Sequence, residues 1–165
     1  MIRTIGHNDV VDVILLMKKS LESISNQKCI ADYDRDEATW IAYLINAIKK
    51  QADGNPDFLV IGEFESDYNK NKLIGFLLAV ACKTHYNQRV IMEVNDCIVD
   101  PSIKPTYTVI KLFNKMIEHT KKHGGTRWKA SSNRDEIQNK NYNKLLRLKY
   151  NADIHYAAYG KIGEN

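Results

Sequence analysis

Residues 98–125, IVDPSIKPTYTVIKLFNKMIEHTKKHGG, have the layout of an anion-binding turn. A short apolar run ends in Asp100-Pro101, a polar turn follows, and a helical pattern runs from about Thr106 to His123 before Gly124-Gly125. A strand feeding a turn that opens a helix is a common phosphate holder, because unpaired N–H groups and partial positive charge meet at the helix start. Glycine usually lets the backbone approach the phosphate closely, and this turn has none. It is therefore a cradle rebuilt with side-chain donors, or a plain connection. Just upstream stands MEVNDCIV. Strict strand alternation puts Glu93, Asn95 and Cys97 on one side, and Met92, Val94 and Asp96 on the other.

Other reactive residues lack supporting patterns. His119 and His123 are four apart, but no glutamate follows His119, so the zinc-protease pattern is absent. Basic residues near a helix C-terminus complement its dipole. Ser131, Ser132 and Cys97 have no histidine at a recognisable spacing, which leaves nucleophilic catalysis unsupported. The run KKHGGTRWK could stack Trp128 on a nucleic acid; a solvated helix end followed by a strand is the plainer reading. No metal site is expected.

These residues need elements to position them. Residues 2–5 read as a short strand. Asn8 or Asp9 caps a first helix with Val10, Val13, Ile14, Met17 and Leu21 at helical spacing. Asp34 or Asp36 starts a second, in which Trp40, Ile41, Leu44, Ile45 and Ile48 share a face. After Gly54-Asn55-Pro56, strands at 58–64, 73–84 and 89–99 with short turns make an antiparallel meander. The third helix turns Val109, Leu112, Phe113, Met116 and Ile117 inward, with Gly124 as its C-cap. A strand at 127–131, a helix at 135–149 and a strand at 154–161 complete the order β-α-α-β-β-β-α-β-α-β. A meander followed by a right-handed β-α-β crossover predicts an α/β (α+β) fold: a mixed, mostly antiparallel twisted sheet with helices on both faces.

A chain of 165 residues with 44% hydrophobic and 27% charged content fits one globular domain, 1–165, with a sizeable core. Cys29, Cys82 and Cys97 are odd in number and form no CxxC pair, which argues for a reducing, intracellular setting. Asp9 and Asp12 interrupt the N-terminal apolar pattern, so no signal peptide is expected. The longest apolar run, Leu73 to Cys82, is far short of the ~20 residues that cross a bilayer. The net charge of +4 is too mild to imply nucleic acid but suits an anionic ligand.

The element order resembles that of the GNAT superfamily of N-acetyltransferases along the whole chain. Four stretches carry the resemblance: MIRTIGHNDVVDVILLM as opening strand and helix, NKLIGFLLA as third strand, MEVNDCIVDPSIKPTYTVIKLF as fourth strand and acetyl-CoA loop, and SSNRDEIQNKNYNKLLRLKYNA as the "N…LYxxLGF" segment. The chain is most similar in character to the short acetyltransferases often encoded by phages, whose loops are also irregular.

The resemblance implies acetyl-CoA as co-substrate and an amine as acceptor. The family loop, R/Q-x-x-G-x-G/A after Val-x-Pro, places its basic position on Lys104 and its small positions on Tyr107 and Val109. Tyr107 adds bulk there, and Pro105 removes one donor. The helix start, Lys104 and the Thr106 and Thr108 hydroxyls remain to meet the diphosphate. A splay of the fourth strand from the fifth would leave backbone groups at Cys97, Ile98 and Val99 for the pantetheine arm. Asn133 corresponds to a residue that bonds the cofactor amide; a turn-forming Asn is the alternative. Glu93 stands where family members place a general base, or else serves as a surface partner of Arg89. The family's acid, a tyrosine five positions before the aromatic of "LGF", falls on Leu145; Tyr142 is the nearest substitute, or a packing residue. The glycine of that motif is replaced by Lys149.

The implied function is acetyl-CoA-dependent N-acetylation of a primary amine on a small molecule or protein, in the cytoplasm, or in a host's if the chain is phage-encoded. The acceptor pocket would be built from the first two helices and the hairpin near His85-Tyr86, with Asp32, Tyr33, Asp34 and Asp36 attracting an amine or capping a helix. Dimers are common in the family, and no membrane partner is implied. The lost glycines and tyrosine also fit an inactive GNAT-like scaffold with a binding or assembly role. A GNAT-like enzyme that modifies nucleic acid is the third reading.

Overall fold

Leu73–Ala79 is apolar or glycine at every position because this strand lies in the middle of the sheet and is covered on both faces. The computed structural model describes residues 1–24, 37–67, 70–84, 87–130 and 136–152. They belong to two compact units, Met1–Ser132 and Asn133–Asn165.

In the first unit the strands are β1 (Ile2–Thr4), β2 (Phe58–Asp67), β3 (Lys70–Thr84), β4 (Asn87–Val99) and β5 (Arg127–Ala130). They lie in the order β1-β2-β3-β4-β5, antiparallel except for the parallel β4–β5 pair. The helices are α1 (Val10–Ile24), α2 (Glu37–Ala52) and α3 (Pro105–Lys122). The order β-α-α-β-β-β-α-β is as expected. The expected strand at 154–161 lies outside the described residues, as do Cys29, the 32–36 segment, His85-Tyr86, Ser131, Ser132 and Asn133.

Side-chain alternation divides the core between two faces. Val60, Phe64, Phe76 and Leu78 meet Val13, Leu16 and Met17 of α1 and Trp40, Leu44, Ala47 and Ile48 of α2. The opposite face carries α3, which buries Val109, Leu112, Phe113 and Met116. Gly75 shows how closely α3 approaches: a Cβ there would lie 2.3 Å from Thr108 Cγ2. Trp128 of β5 packs edge-on against Phe113, with ring centroids 5.4 Å apart, so its ring belongs to the α3 layer. Helix α3 ends as predicted: Gly124 has φ 75°, and the Gly125 N–H donates to the Thr120 carbonyl at 2.8 Å.

Three local expectations need correction. Ile45 is 40% exposed and Ala47 takes the inward place, because Ile45 falls at the edge of the apolar arc. Asp9 does not cap α1 forwards. A 3-10 turn, His7–Asp9, precedes the helix, and the Asp9 carboxylate turns back to accept from the Gly6 N–H (2.8 Å) and from both terminal nitrogens of Arg3 (2.7 Å each). The third correction, in β4, shapes the functional site.

The second unit contains α4 (Glu136–Tyr150), which buries Tyr142 and Leu146. Asn151 follows in the left-handed region, φ 49°, and its N–H donates to the Arg147 carbonyl at 3.0 Å.

Candidate functional site

Strand β4 does not alternate strictly. Val94 lies opposite Ala79 but Asp96 lies opposite Leu78, so Asn95 is an extra residue, a β-bulge. Beyond it the alternation changes phase. Glu93, Asn95 and Asp96 face the α1/α2 side. Cys97 joins Leu77 on the α3 side, so it does not share a face with Glu93. One inserted residue thus gathers three polar side chains under α2.

Each has a defined partner. The Glu93 side chain is 32% exposed; its Oε1 accepts from Lys129 Nζ at 2.9 Å and its Oε2 from Cys82 Sγ at 3.5 Å. Lys129 lies directly opposite on β5; the side chain of Arg89, the expected surface partner, lies outside the described residues. Burial pushes the Cys82 thiol up, and its bond to Glu93 and that carboxylate's charge push it further, against the pull of Lys129. Cys82 is thereby held as a thiol, not a nucleophilic thiolate. Asp96 is buried and accepts from Trp40 Nε1 at 3.1 Å. Asn95 Nδ2 donates to the Tyr43 hydroxyl at 3.1 Å. Burial raises the Tyr43 pKa, and the negative charges of Asp96 and Glu93 add to it.

The β4–β5 ladder runs from Ile91–Arg127 to Val94–Ala130, among the described residues, and ends immediately before the bulge. Cys97, Ile98 and Val99 pair with Leu77, Phe76 and Gly75 on the β3 side.

At the end of β4 the chain turns on Asp100. This buried carboxylate accepts from Lys19 Nζ (2.7 Å), Ser102 Oγ (2.6 Å) and Ser102 N–H (2.9 Å) through Oδ1, and pairs with Lys72 Nζ (3.3 Å) through Oδ2. Burial pushes its pKa up; the bonds from Lys19, Ser102 and Lys72 outweigh that and hold it well below the usual carboxylate range.

Helix α3 then starts with Lys104 at the N-cap and Pro105 in the first turn, and no side chain caps it. Lys104, Pro105 and Thr106 are exposed, and Tyr107 is 68% exposed, with Lys111 Nζ 4.2 Å from its ring centre. Neither bulky residue is buried beneath the helix start. Thr108 and Val109 are buried on the sheet side. The Thr108 side chain packs at Gly75, so of the two expected hydroxyl donors only that of Thr106 is exposed.

Comparison with known structures follows this geometry. A protein of Bacillus halodurans superposes with a TM-score of 0.73 at 14% identity, over 98% of this chain and 99% of its own. An aminoglycoside acetyltransferase from an uncultured soil metagenomic sample, solved with sisomicin, gives 0.66 at 15%, over 99% and 96%. The PaiA N-acetyltransferase of Thermoplasma acidophilum, solved with coenzyme A, gives 0.64 at 18%, over 87% and 86%. This is the GNAT acetyltransferase fold. At these identities the likeness concerns the fold. No family model matches the chain, and no curated protein matches it in sequence.

Within the GNAT fold, sequence reasoning placed Glu93 correctly on β4 but missed Tyr43, Cys82 and Asp96. Tyr43 reads as one more residue of an amphipathic helix, and Asp96 counted to the wrong face. Among the described residues, no group of three or more His, Cys, Asp or Glu could hold a metal ion, and no helix is long and apolar enough to cross a membrane.

Proposed function

We propose that the chain is an acetyl-CoA-dependent N-acetyltransferase that moves an acetyl group directly onto a primary amine of a small molecule or protein, within a single domain spanning 1–165. The observation that carries this reading is the start of α3. It has no side-chain cap, and Pro105 and Tyr107 are exposed there. The residues present fit the co-substrate. Main-chain amides of residues 106–109, at the positive end of the α3 dipole, would meet the diphosphate with Lys104 and the Thr106 hydroxyl. The pantetheine arm would follow Cys97, Ile98 and Val99, beyond the end of the β4–β5 ladder among the described residues. The solved relatives support the reading: one is a coenzyme A complex, and another is an acetyltransferase holding an aminoglycoside.

Acetyl-CoA would supply an activated acyl carbon. Glu93 takes the proton released by the attacking amine, directly or through a water; its place between two donors fixes the carboxylate, and its partial exposure gives an amine access. The Asp96 carboxylate beside it adds negative potential that favours a cationic acceptor.

The test is acetyl transfer to a panel of primary amines. Glu93→Gln should lower kcat by about 10²–10⁴-fold and leave CoA affinity unchanged. A variant with an unaltered pH–rate profile would remove Glu93 as the base.

A further inference from the structure

Breaking the thioester C–S bond leaves a thiolate that needs a proton, and the position usual for a tyrosine donor holds Leu145. Tyr142, its nearest substitute in sequence, is only 7% exposed. Within the first unit a different tyrosine meets the requirement. Tyr43 projects from α2 with its ring half-buried against the core, and its hydroxyl meets the exposed Asn95 side chain. Asn95 is the bulged residue, one position beyond Val94, where the described β4–β5 ladder stops. That is where the acyl end of a pantetheine arm lying along β4 would arrive.

We infer that Tyr43, held by Asn95, is the acid that protonates the departing CoA thiolate. This rests on the transferase reading above. In the proposed step the amine nitrogen bonds to the acyl carbon and gives its proton to Glu93. The C–S bond breaks, with its electron pair going to sulfur. Tyr43 passes its hydroxyl proton to that sulfur, and the resulting phenolate regains a proton from solvent. The products are an N-acetyl amine and CoA thiol.

The arrangement suits both halves of the task. In the bond from Asn95, the Tyr43 oxygen is the acceptor, so its own proton remains to be given. That same bond stabilises the phenolate left behind. Before the reaction, burial and the charges of Asp96 and Glu93 facing Tyr43 from β4, with the Cys82 thiol on β3 and Lys129 of β5 on the far side of Glu93, keep the phenol protonated.

One test reads binding without turnover. By calorimetry, wild type should bind CoA about tenfold more tightly than desulfo-CoA, and Tyr43→Phe should bring the ratio near one. A second reads chemistry as thiol release from acetyl-CoA with spermidine as the amine. Tyr43→Phe should lower kcat about 100-fold with KM for acetyl-CoA unchanged, small buffer acids should partly restore it, and Tyr142→Phe should stay near wild type. Asn95→Ala should fall between them and guards against a folding artefact. If Tyr43→Phe keeps both its CoA preference and its kcat, or if Tyr142→Phe carries the loss, Tyr43 is not the acid. If wild type itself releases no thiol above buffer, the transferase reading falls, and this assignment with it.

Discussion

Glu93 and Asp100 are both carboxylates of β4 and its exit, both paired with lysine, and they sit in opposite settings. Asp100 is 2% exposed and takes four donors, two of them from its own turn. Glu93 is a third exposed and takes two donors, one of them a weak thiol. A buried carboxylate ringed by four donors is a fastener. One with spare acceptor capacity and an open side can accept a proton. The difference is set locally: the turn after Val99 brings Ser102 back onto Asp100, while Glu93 stands two residues before the bulge at Asn95, opposite Lys129.

The largest effect that would break this contrast is in catalysis. The 10²–10⁴-fold loss expected for Glu93→Gln should come with an unchanged melting temperature; a strong destabilisation would make Glu93 a second fastener. Asp100→Asn should do the reverse. It should cost roughly 1–3 kcal/mol in denaturant unfolding, since the buried acceptor loses the charge that Lys19 and Lys72 pair with, and it should raise KM for acetyl-CoA more than it lowers kcat. Its pH signature has a definite sign. The folded-state pKa of Asp100 is depressed, so its stabilisation is fully present above the unfolded value of about 4 and disappears as pH falls below it. The asparagine variant should lack that part of the acid loss; identical acid profiles would remove Asp100 as the fastener. The smallest effect belongs to Lys129→Ala. Lys129 is 64% exposed, and the pair should contribute no more than about 1 kcal/mol to stability. A larger loss would show that Glu93 depends on it for structure.

The sequence carried much of the frame. The unbroken apolar run of β3 and the period of α3 each have one physical reading, and the structure agrees with both. The resemblance placed Glu93 on the right strand. The rest depended on features with no local signature. A bulge adds one residue to a strand without changing its composition, so Cys97 and Asp96 counted to the wrong faces. Asp100 reads as part of a Val-Asp-Pro turn, because its partner Lys19 lies 81 residues away on another element. Residue size alone says nothing of where Tyr107 and Pro105 point; both are exposed at the start of α3.

The measurement that tests the central claim most directly is calorimetric titration of the protein with CoA, alongside Lys104→Glu. Micromolar binding by wild type that is lost in the charge-reversed variant is the predicted result. No heat with either CoA or acetyl-CoA would mean that the start of α3 holds no diphosphate, and would contradict the account.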